Sequence, residues 1–360
     1  MSQTEAKADN PTPSAKMSGS ALIYSVRWLV HDTFCQALTG KIFWIMLVVS
    51  ATCIFFCLSV SIDSNLEQVP GQVDKYFFKG TDITPDPTIR QKDKNGNLLI
   101  PKTEISMLFG LIRVPAPNRP IVHSVRLLQF FFARMVIGVF GFLLALIWTA
   151  GFVPEFLQPN SASVLLAKPI PRWALLVGKY IGVVAFVAFQ VSVFFLGTWL
   201  ALGLRTGVWE YGYLASIPLF VLEFAMIFSF TVLLAAYSRS TVTCIFGSIL
   251  FWLVCWGMNW GRHVVTGLSL SDSAMGFGSA TTFLTELGYW ILPKPMDLYI
   301  LNEQAVHAST FSMSLSRNSA IQQILTTDGY FNPVLSALAS FAFTVGILWV
   351  AAKQLADTDY

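Results

Sequence analysis

Charge is scarce in this chain. Asp, Glu, Lys and Arg make up 12% of its 360 residues, against about 25% in an ordinary soluble domain. The formal net charge is +3 and the basic residues are scattered, which excludes a nucleic-acid footprint. Cysteines stand only at 35, 53, 57, 244 and 255, four of them inside apolar segments. That pattern gives neither a disulfide framework nor metal-ligand spacing, and Cys53 and Cys57 read as small core residues on one helix face. The four histidines, His31, His123, His263 and His307, are far apart in sequence. No HExxH and no GxSxG occurs, and no paired-Asp pattern lies inside the long apolar runs. The phosphate-binding pattern GxxxxGK[ST] is also missing: Gly178-Lys179-Tyr180 has neither the earlier glycine nor the Ser/Thr that such a cradle needs. The chain carries no catalytic constellation, and any ATP it depends on has to be bound by another chain.

What is present is apolar. Hydrophobic residues make up 54% of the chain, and they fall into six long uncharged or nearly uncharged runs. These are 42–62, 135–153, 180–204, 214–237, 241–260 and 334–352. At 1.5 Å per residue, runs of ~20 residues cross a hydrocarbon core of about 30 Å. The expected fold class is therefore an all-α polytopic membrane protein with six transmembrane helices. Residues 1–20 read as a disordered tail. Residues 21–40 carry Leu22, Ile23, Val26, Leu29, Val30, Phe34 and Leu38 at helical spacing, with Arg27, His31, Asp32 and Gln36 beside or opposite that stripe. That helix is too polar to span and is expected to lie in the membrane interface.

Two long polar segments interrupt the runs. Residues 63–128 contain seven prolines and a turn signal at Asn95-Gly96, with β-like stretches at 104–114 and 121–127. They predict a small, β-rich domain outside the membrane. Residues 261–332 contain apolar pieces at 283–284, 287–292 and 298–301, broken by Pro293 and Pro295. These predict re-entrant or interfacial helices, and Glu286, Lys294 and Asp297 argue against further spans. Residues 302–329, rich in Ser, Gln and Asn, are expected to be loosely ordered. Domain limits follow: 21–62, 63–128, 129–260, 261–332 and 333–360.

Six spans place both termini on one side. Nine basic residues of the tails and short loops fall there: Lys7, Lys16, Arg27, Lys41, Lys168, Arg172, Lys179, Arg239 and Lys353. The one short loop opposite has only Arg205. The positive-inside rule then predicts cytoplasmic termini and an extracytoplasmic 63–128 domain. Glu223 is the one acidic residue well inside a span. Such a carboxyl is a candidate pathway residue by default, with a protonated, hydrogen-bonded or wetted side chain as the plain alternative, and Pro218 nearby loosens its helix. Arg262 and His263 follow the tryptophans 256 and 260 and read as interfacial anchors.

Residues 153–179 read VPEFLQPNSASVLLAKPIPRWALLVGK. Pro154 stops or kinks the second run, Asn160 or Ser161 can cap a short helix over 161–167, and Pro169 and Pro171 end it. The stretch is a rigid cytoplasmic elbow or a plain turn, and its physics alone does not choose. Its sequence resembles the signature between spans two and three of ABC-2 type transporter permeases. The matching residues are an acidic Glu155, the core Leu165-Leu166-x-x-Pro169-Ile170-x-Arg172, and Leu176-x-Gly178-Lys179-x-x-Gly182. Within that class the chain looks similar to permeases of the copper-site maturation (nitrous oxide reductase accessory) type. The resemblance implies a homodimer or pseudo-dimer of six-span subunits in the inner (plasma) membrane, bound to two cytoplasmic ABC ATPase subunits that hold ATP and Mg. It implies a coupling helix over 155–168, with Glu155, Phe156, Leu157 and Ser163 facing the ATPase and Lys168 and Arg172 beside them. It makes 21–40 a gate-linked helix bearing Arg27, His31 and Asp32, and it implies export. The other function expected of such a chain is a membrane scaffold or assembly factor whose outer domain binds an extracytoplasmic protein.

Overall fold

The computed structural model describes residues 19–69, 91–92, 98–117, 121–157, 171–270, 277–307, 318–327 and 329–357. Six helices among them are long and apolar enough to cross a membrane: Lys41–Ser59, Ile121–Phe156, Trp173–Thr206, Tyr211–Ser238, Thr241–Leu270 and Pro333–Asp357.

Helix α1 (Gly19–Thr39) turns at Gly40, whose backbone is extended, into α2 (Lys41–Ser59), the first span. Beyond it lies an antiparallel sheet. Strand β1 (Ser61–Val69) runs along one edge of β3 (Leu98–Met107), while β2 (Gln91–Lys92) and β4 (Ile112–Pro117) pair with the other. The stretch 104–114 is not one strand. A turn at Leu108 and Phe109, both at positive φ, folds β3 back onto β4.

The second span is composite: α3 (Ile121–Phe131), a π-helical stretch Phe132–Gly141, α4 (Phe142–Thr149) and α5 (Phe152–Phe156). Residues 121–127, expected as β-like, are helical. The reason is visible in the burial pattern: Ser124, Val125, Gln129 and Phe130 fall on one face at helical spacing and pack inward together. Wide turns of π type usually occur singly and mark functional sites; here they run for ten residues.

Helix α6 (Arg172–Thr206) is the third span and ends in a left-handed cap at Gly207. A 3₁₀ turn, Tyr211–Ala215, leads into α7 (Ser216–Ser238), the fourth span, whose cap Arg239 is also left-handed and turns the chain into α8 (Thr241–Leu270). Two shorter helices follow, α9 (Ser279–Ile291) and α10 (Pro295–Ala305), then α11 (Ser319–Thr326) and the last span α12 (Pro333–Asp357). Helix α11 lies inside the segment expected to be loosely ordered. It is ordered because Asn318 caps it by accepting from the Ala320 amide and because Ile321 and Ile324 are buried. The fifth span continues ten residues past 260 because its polar residues there find buried partners.

Spans three and four form the centre. The share of the apolar window that is buried is 61% for the fourth span and 50% for the third, but 22% for the first, fifth and sixth. The outward residues of those three, such as Trp44, Val48, Phe246, Leu250, Phe341 and Trp349, are large and apolar, as a hydrocarbon solvent requires. Fully buried Phe186 of the third span is a shared contact, its ring 5.3 Å from that of Phe34, 5.6 Å from Phe43 and 5.0 Å from Trp148. It joins α1, α2 and α4 through edge-on or tilted aromatic pairs.

Helix α8 approaches α11 so closely at Gly267 that an added Cβ would lie 2.2 Å from the Ala320 carbonyl oxygen, whereas at Gly257 of the same helix nothing lies within 4 Å. At an open helical site Gly→Ala adds stability of about 1 kcal/mol. Gly257→Ala should therefore raise or preserve the melting temperature in detergent. Gly267→Ala should lower it, by ~1–3 kcal/mol of stability, as overpacking against backbone does.

Candidate functional site

Two polar clusters lie at opposite ends of the span bundle. The first is at the end where α5, α1 and the start of α6 meet. Glycines 178 and 182 explain the close approach of α1: an added Cβ would lie 2.7 Å from Leu29 and 2.8 Å from Thr33. The packed face of α1 is Leu29, Thr33 and Ala37, all buried, while Leu38, expected in the apolar stripe, is exposed. Between the two glycines stands Lys179, itself 2% exposed. Its ammonium donates to the Gln36 Oε1 of α1 at 2.6 Å and lies 5.7 Å from the centre of the Phe156 ring of α5. Asp32 and Glu155 add their negative fields at the same ammonium. One cation thus joins three elements by a charge-assisted hydrogen bond and a cation–π contact.

Most of the residues singled out from the sequence can be placed around this corner. Glu155 is exposed, and Phe156 is half-buried against Lys179. Leu157 is 3% exposed and belongs to the core, so it faces inward and anchors α5 rather than presenting itself to a partner. Arg27, His31 and Asp32 are exposed along α1. Arg172 begins α6, but its side chain, like all of Ser163, Lys168 and the short helix expected over 161–167, lies outside the described residues.

The second cluster surrounds α10. Asp297, fully buried, takes three hydrogen bonds: from His263 Nε2 to Oδ1 at 2.6 Å, and to Oδ2 from the Tyr289 hydroxyl at 2.6 Å and the Ser336 hydroxyl at 2.5 Å. Those donors come from α8, α9 and α12. Beside them, Arg262 donates to Glu286 at 3.2 Å and to the Tyr330 carbonyl at 3.2 Å, and stacks 4.4 Å from the Tyr289 ring centre. Asn259 donates to the Pro293 carbonyl, and the Lys294 amide donates to Ser340 of α12. The Lys294 ammonium lies 4.7 Å and 5.0 Å from the ring centres of Tyr289 and Trp290. At the other end of α10, Glu303 pairs with Arg134 of the π-helical stretch at 3.7 Å, and Asn302 accepts from Ser216 of the fourth span at 2.6 Å. Arg262 and His263 are therefore buried partners of α9 and α10, not surface anchors. The aromatic sequence around them suggested an interface, but the hairpin α9–α10 folds over them.

Burial would raise the Asp297 carboxyl. The hydrogen bond and charge of His263, then the bonds from Ser336 and Tyr289, outweigh it and hold the group below its ordinary value. Burial and the Asp297 charge push the Tyr289 phenol up. Burial pulls the Lys294 ammonium down, against the attraction of Asp297. Although Ser, His and Asp meet here, both Ser336 and His263 bond to the carboxylate and not to each other. The serine has no base in line with it, so the arrangement fixes helices and does not activate a nucleophile. Among the described residues no group of three His, Cys, Asp or Glu could hold a metal ion.

Glu223 lies between the clusters, 8% exposed, accepting from the Trp252 indole N–H at 3.3 Å. It borders a cavity of about 20 Å³ together with Ser216, Tyr299 and Asn302. That is room for one water, and it connects the intramembrane carboxyl with the foot of α10.

A family model described as "ABC-2 family transporter protein" matches residues 27–351. The match is to the family as a whole and does not single out the copper-site maturation permeases. No curated protein matches the sequence.

Asp297→Asn keeps the shape and removes the charge. It should cost roughly 3–5 kcal/mol, as breaking a buried pair does. Because the folded carboxyl is held low, its contribution is present above the ordinary carboxylate value and is lost as pH falls through the lowered one. Melting curves of the two proteins should stay well separated from about pH 5 upward and converge only below about pH 4.

Proposed function

The chain belongs to the ABC-2 family of transporter proteins, and we propose that in it this permease exports its substrate on ATP hydrolysed by a separate cytoplasmic subunit. The family match and six apolar helices make it a multi-pass membrane component of an ABC transporter. The finer reading rests on the corner at Lys179. A chain with no phosphate-binding loop has to receive work by contact. The segment that leaves the second span through α5 is where such contact has a path inward. Exposed Glu155 and half-buried Phe156 meet the partner, with Ser163, Lys168 and Arg172 completing the docking stretch. Phe156 bears on Lys179, and Lys179 holds Gln36 of α1 and is itself part of the third span. A push on α5 is thereby shared between α1 and the centre of the bundle. ATP and Mg stay with the partner.

In this reading two copies of the chain pair, both termini are cytoplasmic in the inner (plasma) membrane, and the sheet of β1–β4 stands outside with the α9–α10 hairpin. The hairpin closes the outer end. Helix α10 is tied to the second span by Arg134–Glu303, the fourth by Ser216–Asn302, the fifth by His263–Asp297 and the sixth by Ser336–Asp297. Outward opening has to move α10 with all four spans or release one of these ties. Glu223 beside its water-sized cavity is the polar step on that route.

Co-expression with the cognate ATPase tests the corner. Glu155→Gln, at an exposed position, should reduce ATPase co-purification or substrate-stimulated hydrolysis about tenfold or more, a change of ~1.4 kcal/mol or greater in the contact, with little change in melting temperature. Phe156→Ala should do the same while also lowering the melting temperature, because it gives up the contact with Lys179. Intact association and turnover in both would remove the docking assignment. Glu223→Gln can still accept from Trp252, so it should fold and bind the ATPase normally while transport slows several-fold.

A further inference from the structure

The bundle holds a second intramembrane cavity, away from both polar clusters. It has a volume of about 150 Å³ and lies among the first four spans. Its walls are apolar, including Met46, Trp148, Val191 and Phe194, and its rim is made by Val49, Phe140 and Leu144, which are 45%, 69% and 41% exposed. The rim residues face the lipid, so the cavity opens sideways into the membrane. A cavity of this volume takes a benzene-sized group or a short length of alkyl chain.

One polar feature breaks the apolar wall. Gln190 stands half-way along the third span and is 4% exposed. Its Nε2 donates to the Ser50 hydroxyl at 3.2 Å, and that hydroxyl already donates to the Met46 carbonyl at 2.9 Å. Among the described residues the Gln190 Oε1 has no hydrogen-bond partner. Turning the amide over does not help: the single Ser50 hydroxyl proton would have to leave the Met46 carbonyl to reach Oε1, and Nε2 would then be left over. An orphaned amide atom at mid-membrane depth is costly, and the hydrocarbon around it cannot supply a partner.

We propose that this cavity binds the hydroxyl end of an apolar alcohol, with the hydroxyl on the Gln190 amide and the alkyl chain leaving between Val49 and Leu144 into the bilayer. Gln190 lines the cavity, and rotation about its last side-chain bond, which has broad preferences, turns the sealed amide atom toward a hydroxyl that can both donate and accept. The apolar walls accept the first few carbons. Phe220 forms the inner wall and also borders the Glu223 cavity, so among the described residues it is the side chain shared by the two spaces. The site does not depend on what the transporter exports or on which subunit drives it.

The full-length protein in lipid nanodiscs can be photolabelled with an octanol that carries a diazirine on its chain, and the adducts mapped by peptide mass spectrometry. Label is expected on the segments around Val49 and Leu144. Octanol should displace it roughly fivefold or more better than octane at equal membrane concentration, the margin of one restored hydrogen bond. Gln190→Leu should erase that preference, and Ser50→Ala, which keeps the amide, should retain it. Leu144→Trp, at the exposed rim, should block labelling without lowering the melting temperature. Equal displacement by octane and octanol in the native protein overturns the site, as does loss of the preference in both Gln190→Leu and Ser50→Ala. So does label that Leu144→Trp leaves in place, or no label at these segments, the result expected if a second copy of the chain covers the rim.

Discussion

A buried carboxylate has to be answered, and in this molecule the answer to Asp297 organises the end of the bundle around α10. Three donors from three helices converge on its two oxygens. None of those helices can shift without leaving a charge unpaired in a low-dielectric environment. The position of α10 follows from that, and with it the Lys294–Ser340 and Ser216–Asn302 contacts and the Arg134–Glu303 pair at its far end. The extra length of the fifth span follows too, since Arg262 and His263 are stable as helix only because α9 and α10 cover them.

At the opposite end the same logic is applied once, with Lys179. It is enclosed by two glycine contacts that let α1 lie against the third span, and it holds a side-chain amide and an aromatic ring from two other elements. Between these two polar ends the packing is carried by aromatic and aliphatic contacts around Phe186 and the fourth span. Hydrocarbon supplies no drive for apolar side chains to associate, so close van der Waals contact and the few polar ties decide which helices touch. A structure held this way has two sensitive points with a smoothly packed region between them, an arrangement suited to passing motion from one end to the other.

Much of this was legible beforehand because long apolar runs have one physical meaning. The six runs each became a span, and the departures lay at their ends. The Leu-x-Gly-Lys-x-x-Gly pattern was visible as a signature, and the structure supplies its reason: the glycines admit α1 and the lysine ties it. The charged residues of the loop over 261–332 were harder. Glu286, Lys294 and Asp297 were read as evidence against further spans, but the burial of Lys294 and Asp297 was not foreseeable. The one available signal was Asn259, at the end of the apolar run, sharing a helix face with His263 just past it. Leu157 was placed toward a partner by the family resemblance, which assigns a segment and not the direction of each side chain in it; it faces the core instead.

Hydrophobic run length determined the number of crossings, since a membrane imposes a single length on any helix that spans it. The sequence also shows directly that the phosphate-loop pattern GxxxxGK[ST] does not occur in it, since that chemistry needs a fixed local spacing. Only the tertiary structure decided which polar residues meet. His263 and Asp297 are separated by 34 positions, Lys179 and Gln36 by 143, and Gln190 and Ser50 by 140. A local pattern cannot encode such pairs, because a polar side chain in a span has the same sequence appearance whether it is paired, hydrated or waiting for a ligand.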